Sequence, residues 1–413
     1  MTVQIAQNIL GYLNSHVVGK AEQNSVLVTS LIAGKNVFFV GAPGIGKSYS
    51  ASLLAQCLDG KTKLTQFARD TREEELFGPL DLTKLMPKDG SQTRYVRVAA
   101  DDGITYAQDA DIFIMDEPAN APSGLLKRLH ALLEERKVHT GEKWVDANLK
   151  IAVGTSNEML PEDCYALNDR FTVRYECKDL GASDQFRFIK AKAEGSLRKP
   201  SAEGAPKITP EQLAELRISC EGMMFSKEAY ETIENLIAAL EAAHIKVSTR
   251  NWENTVPCLQ AFALLQGADE VKAHHVGFAK HILWRDLSDR RKIWDIIDEI
   301  VPNPMAQFEA TCELVKSSFN KVSWVAVNRG MELHNLNLST ADTEAFINAL
   351  KVGYEFLKFA VATVEKSIGE GIEDFAPSAL MDMKDCANQA YICLKNGSPE
   401  SQHGKLDALM NNM

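Results

Sequence analysis

The segment Gly41-Ala42-Pro43-Gly44-Ile45-Gly46-Lys47-Ser48 places residue types in an order suited to holding a phosphate chain. Glycines at Gly41, Gly44 and Gly46 let the backbone wrap closely enough for its N–H groups to face an anion, where a helix N-terminus adds a favourable dipole. Lys47 is then in reach of β and γ phosphates, Ser48 supplies a hydroxyl for Mg²⁺, and Tyr49 opens the following helix. A glycine turn can arise by accident. This one follows the apolar run NVFFV (Asn36–Val40) and precedes the helix-forming YSASLLAQCL, the strand–loop–helix context that the chemistry requires. The expected ligands are ATP and Mg²⁺.

A second apolar run, DIFIMDE (Asp111–Glu117), ends in two acids. Asp116 is placed to hold Mg²⁺ through water and Glu117 to polarise an attacking water. Many strands end at a charged turn, so the pair gains its meaning only beside the glycine loop. Two acids rather than one favour hydrolysis over kinase chemistry. A third run, LKIAVGTSN (Leu149–Asn157), ends at Asn157, which can sense a γ-phosphate or orient the water, and is equally a common turn residue. Arg170, in ALNDRF, reads either as an arginine donated across a subunit boundary or as a helix-end partner of Asp169. Arg250, in VSTRNW, begins a helical segment and reads also as a surface or capping residue. Spacing alone does not choose.

Positioning these groups takes a parallel α/β sheet. The first 180 residues alternate short apolar strands with helical patterns, and ligands in such sheets gather at the carboxyl ends of the strands. KVHTGEKWV (Lys137–Val145) has a Thr-Gly turn between short extended arms and is expected to form a hairpin. Beyond residue 180 helical periodicity takes over. The Pro/Gly-rich stretch Ser196–Gln212 closes with Thr209 as N-cap, Pro210 at the first helical position and Gln212 completing a capping box. Helices follow to about residue 300, where VPNPM interrupts them. In the remainder, Ser339 with Asp342 caps a long helix whose apolar residues run from Phe346 to Ile368 in steps of three and four. A core stripe is the commoner source of such a pattern, and a partner-helix surface the other.

The 413 residues suggest two or three packed units, and the net charge of −11 argues against a broad nucleic-acid or anionic-membrane footprint. Eight cysteines without a CxxC pair give no framework for zinc or disulfides, which fits a reducing cytoplasm. The opening MTVQIAQNILGYLNSHVVGK lacks the basic start and apolar run of a signal peptide, and no apolar stretch approaches the ~20 residues that cross a bilayer. His274, His275 and His281 have no acidic or cysteine ligand at metal-binding spacing. Arg69, Arg72, Arg94 and Arg97 lie among acids and read as solvated.

The ordered set GAPGIGKS, IFIMDE, GTSNE and ALNDRF resembles the AAA+ ATPases of the MoxR type. EELFGPLDL (Glu74–Leu82) is similar to that family's LFGPL signature, and Val247–Trp252 resembles a VSxRxW stretch of the RavA branch. The resemblance covers roughly residues 10–300. It implies Asn157 as sensor 1, Arg170 as a finger acting on a neighbouring subunit, and Arg250 as sensor 2. It implies that Val17–Gly19, with Val18 at its centre, contacts the adenine. It also makes Thr93–Ala107 the pore-facing helix-2 insert and Lys137–Val145 the pre-sensor-1 hairpin. Such proteins form hexameric rings and act as chaperone-like remodellers, often with a von Willebrand A partner. Where many relatives read DEINRA, Asn120 stands here in place of the basic residue. No DxSxS motif is present, so a von Willebrand A domain is not expected within these 413 residues.

The expected architecture is therefore an α/β P-loop AAA+ module, a parallel sheet with helices on both faces, over residues 1–180. A helical lid over 181–300 and an all-α region over 301–413 follow. Two other functions share the same pocket: a nucleic-acid-stimulated motor, and a scaffold whose assembly is gated by nucleotide with little turnover.

Overall fold

A computed structural model describes residues 2–302, apart from 87–92, 95, 99–103, 141–142, 161–164 and 196–203. The expected Ser339-capped helix with its apolar stripe, and the whole of 303–413, lie outside the described residues, as does part of Thr93–Ala107. Met1–Leu265 and Asp269–Val301 together form one compact unit.

Two helices, α1 (Thr2–His16) and α2 (Ala21–Ile32), precede β1 (Val37–Val40) and α3 (Lys47–Cys57). Next come β2 (Thr62–Gln66), the short α4 (Glu73–Phe77) and α5 (Leu82–Leu85), and β3 (Ile112–Asp116). A 3₁₀ turn at Pro118–Asn120 leads into α6 (Ser123–Glu134), and β4 (Lys137–His139) with β5 (Trp144–Asp146) forms the expected antiparallel hairpin. The chain continues through β6 (Ile151–Ser156), α7 (Tyr165–Asn168), β7 (Val173–Glu176) and α8 (Ala182–Ala193). Helices α9 (Pro210–Glu221), α10 (Lys227–Ala242) and α11 (Thr249–Leu265) follow, then a 3₁₀ segment at Ala273–His281 and α12 (Leu287–Ile300).

The main sheet has five parallel strands in the order β2-β3-β6-β1-β7. Helices cover both faces of such a sheet, so its central strands read as unbroken apolar runs. VFFV of β1 and IFIM of β3 are buried at every position, and β6 is buried from Ile151 to Ser156. Two strands lacked that signal. β2, at the sheet edge, reads TKLTQ and buries only Thr65 among its five residues. β7 reads VRYE, and its Arg174 is almost completely buried.

Arg174 is tolerated there because carbonyls meet it. It donates to Asn168 O at 2.8 Å and to Trp284 O at 3.0 Å, so one guanidinium ties the sheet to the segment before α12. Desolvation pulls its pKa down to about 10, which still leaves it cationic. In α9, Thr209 Oγ1 accepts from the Gln212 N–H and Gln212 Oε1 accepts from the Thr209 N–H, the reciprocal cap read from the sequence.

The four outlying arginines are not uniformly solvated. Arg97 is largely buried, donates to Gly78 O at 2.6 Å, and forms an ion pair with Glu73. The cause is tertiary: Arg97 and Glu73 are 24 positions apart in sequence. No helix among the described residues is long and apolar enough to cross a membrane.

Candidate functional site

The loop between β1 and α3 owes its path to backbone conformations that glycine alone adopts without strain. Gly46 takes φ +87° as the N-cap of α3. At Gly41, φ +156°, an added Cβ would sit 2.5 Å from the Cys177 carbonyl oxygen, so the loop runs close against the end of β7. Lys47, nearly buried, donates from Nζ to Gly41 O at 2.6 Å, Ala42 O at 2.8 Å and Asn157 Oδ1 at 2.9 Å.

Strand register gathers the remaining groups. Asp116 of β3 lies directly opposite Thr155 of β6. Thr155 Oγ1 donates to Asp116 Oδ1 at 2.6 Å, and Ser48 Oγ donates to the same oxygen at 2.8 Å. The two hydroxyls are 3.1 Å apart. Two hydroxyls and a carboxylate are hard oxygen donors of the kind that Mg²⁺ prefers.

Glu117 departs from β3 in the left-handed region, at φ +53°. That conformation costs a non-glycine residue roughly 1–3 kcal/mol and recurs at functional sites. Its N–H donates to Thr155 O at 2.7 Å. Its carboxylate oxygen Oε2 accepts from Ser156 Oγ at 3.1 Å and from the Asn157 N–H at 3.2 Å. Pro118 then starts the 3₁₀ turn.

A cavity of about 340 Å³ is lined by Pro43, Gly44, Gly46, Lys47, Ser48, Tyr49, Asp116, Glu117 and Asn157. Most of the residues expected to act on phosphate and metal are thus brought together. Gly41, Ala42 and Ile45 shape the loop behind it. Val18 lies in the turn between α1 and α2, next to Gly19, and does not line this cavity. An added Cβ on Gly19 would sit 2.7 Å from Leu180 and 2.8 Å from Asp184, so that turn is held against the start of α8.

Arg170 and Arg250 lie elsewhere. Arg170 precedes β7, at the end of the sheet opposite the glycine loop, and Arg250 is in the first turn of α11. Both form ion pairs with Glu134, the last residue of α6: Arg170 Nη2 is 2.6 Å from Oε2, and Arg250 Nη2 contacts Oε1. Asp169, the neighbour that a local reading favours, is itself 3.3 Å from Arg285. The two arginines line a second cavity of about 300 Å³ with Lys35, Arg136 and Asp169.

Sequence reasoning missed Thr155, Ser156 and Glu134. The first two carried a usable signal, as hydroxyls at the end of an apolar strand beside Asn157. Glu134 carried none, because it and the following Glu135, at the end of α6, look alike in sequence.

His275 packs against the ring of Phe262, and His281 against those of Tyr175, Phe278 and Trp294. His281 and His275 are buried, and desolvation first, then neighbouring cations, pushes the pKa of each down to about 3. Both are neutral at neutral pH.

Comparison with known proteins agrees with this geometry. The MoxR domain of the MoxR–vWA–beta-propeller ternary systems matches residues 4–218, and an AAA lid domain matches residues 228–297. An uncharacterized protein of Methanocaldococcus jannaschii is 28% identical over 326 residues, spanning 77% of this chain and 80% of that protein. A structural protein of Acidianus two-tailed virus is 22% identical over 253 residues, 56% of this chain and 40% of its own length. Among solved structures, a candidate ATPase of Cytophaga hutchinsonii aligns with a TM-score of 0.56 at 17% identity, covering 73% of this chain and 95% of that one, a likeness of fold alone. With its α/β segment matched over more than half the chain and its later helices matched as a lid, the chain belongs to the MoxR family of AAA+ ATPases.

Proposed function

We propose that the chain hydrolyses ATP at sites shared between subunits of a ring, hexameric in the expected form, and uses the cycle to remodel a protein partner. The observation that carries this reading is the meeting of Lys47, Ser48, Asp116, Glu117 and Asn157 around one cavity at the ends of three adjacent strands.

Bound Mg²⁺ would neutralise the phosphates and lower the barrier to phosphoryl transfer. The chain's own residues divide the other tasks. Ser48 and Asp116 would hold the metal, with Thr155 orienting the carboxylate. Lys47 would direct its ammonium at the β and γ phosphates, and the backbone of Gly41–Ser48, with Tyr49, would cradle the nucleotide. Glu117, aimed by Ser156 and the Asn157 N–H, would accept the proton of the attacking water. Asn157 would report on the γ-phosphate. Val18 would lie toward the adenine.

Arg170 and Arg250 would act on the neighbouring subunit's nucleotide. What supports this is distance: β7 alone, at ~3.3 Å per residue, separates Arg170 from its own loop by roughly 13 Å. A von Willebrand A-type partner is consistent with the systems for which the matched family is described. The VSTRNW stretch around Arg250 favours the RavA-like branch, and the net charge of −11 favours a protein partner over nucleic acid.

The test is Glu117→Gln. It should retain ATP, stabilise the assembled ring and lower turnover by at least about a hundredfold. Normal hydrolysis by that variant would remove Glu117 as the base. Pull-down with the same trapped variant would identify the partner.

A further inference from the structure

The edge that carries Arg170 and Arg250 has a feature that their expected roles do not require. One carboxylate, Glu134, takes both guanidiniums, one on each oxygen. The three residues come from different elements: the end of α6, the loop before β7, and the first turn of α11.

Local electrostatics would not place these charges here. A carboxylate at a helix C-terminus and an arginine in a helix's first turn are each disfavoured by the helix dipole. Their pairing offsets both penalties, so the position of Glu134 makes sense through its partners. Nearby groups are engaged with other acceptors and donors. Arg136 donates to Asn36 Oδ1 and to Leu133 O, each at 2.9 Å, and Lys35 donates to Asn254 Oδ1 at 2.8 Å. Two guanidiniums converging on one phosphate repel each other, and a shared carboxylate removes much of that repulsion while fixing their spacing. Each guanidinium has five N–H donors, so a bond to Glu134 is compatible with a second acceptor.

We propose that Glu134 is a positioning residue for hydrolysis in the adjacent subunit. It yokes Arg170 of the α/β segment to Arg250 of the lid segment, so that both reach the neighbour's terminal phosphate as one two-pronged group. This rests on the reading of Arg170 and Arg250 as acting across the subunit boundary. The yoke adds a consequence: body and lid deliver their charges together, so movement of α11 is coupled to the neighbour's turnover.

Glu134→Gln keeps the size of the side chain and removes its charge. The expected result is a kcat lowered about tenfold to a hundredfold, with KM for ATP changed less than about twofold, because the nucleotide's own pocket is untouched. Ring assembly and melting temperature should be retained, which a purely structural residue would not allow. On an Arg170→Ala background Glu134→Gln should cost less than about twofold more. Mixed with Lys47→Ala subunits, it should regain part of the lost activity, since each subunit supplies what the other lacks. If Glu134→Gln fails to assemble, Glu134→Asp replaces it, with an intermediate kcat expected.

The outcomes separate. Arg170→Ala inactive beside fully active Glu134→Gln overturns the yoke and leaves the shared site standing. Impaired Glu134→Gln that Lys47→Ala cannot complement also overturns it. Full activity in both Arg170→Ala and Arg250→Ala removes the shared-site reading itself, and the yoke with it.

Discussion

Ser156 Oγ donates to Glu117 Oε2 at 3.1 Å, joining the end of β6 to the residue that leaves β3 in a left-handed conformation. The backbone at Glu117 sets the direction of its side chain, and Ser156 holds the carboxylate at the end of that direction. Ser156 is fully buried, so its hydroxyl has little competition from water.

Removing that hydroxyl is therefore expected to affect the chemical step. Hydrogen bonds to charged groups contribute about 1.5–3 kcal/mol, and Ser156→Ala is expected to lower kcat about tenfold with ATP affinity preserved. Parallel measurements of steady-state turnover and equilibrium nucleotide binding check this. Weakened binding with normal kcat would assign Ser156 to the ground state.

Thr155 bears on the metal. Its bond to Asp116 Oδ1 fixes the carboxylate beside Ser48. Thr155→Val is close in shape and lacks the donor, so half-saturating Mg²⁺ should rise about tenfold. A titration of ATPase rate against Mg²⁺ at saturating ATP reads the effect, and an unchanged midpoint would count against the proposed role.

Arg174 bears on stability. Arg174→Leu leaves the Asn168 and Trp284 carbonyls without this donor in the interior. A loss of about 2–4 kcal/mol is expected, measured by chemical denaturation. Wild-type stability would mean that water replaces the guanidinium at no cost.

His275 and His281 set a pH dependence whose sign follows from their lowered pKa values. The unfolded chain binds a proton at each below about pH 6.5, whereas the folded chain resists protonation down to about 3. Between these values the unfolded state holds more protons, so stability falls as pH falls, by about 1.4 kcal/mol per pH unit for each histidine. Around His281 lie Lys280, which opposes its protonation, and Glu22, which favours it. Denaturation midpoints from pH 7 to 5 should decline in the wild type and decline about half as steeply in His281→Gln, where His275 alone still titrates. Equal slopes in the two proteins would contradict the assignment.

The sequence by itself determined what depends on neighbouring residues along the chain. GAPGIGKS dictates its loop because glycine is required at Gly46 and because the loop packs closely at Gly41. NVFFV, IFIMDE and KIAVGTS announce central strands because both their faces are buried, and Thr209-Pro210-Glu211-Gln212 announces a helix start. Strands β2 and β7 escaped detection for opposite reasons, exposure at an edge and an arginine buried in a strand. Only the tertiary structure placed Thr155 against Asp116, since the register of two parallel strands depends on everything that packs around them. Only it brought Arg250 to Glu134 across 116 positions and gave both arginines the same carboxylate. An ion pair of that kind leaves no periodicity in the sequence, because its partners are neighbours only after the helices have folded back on the sheet.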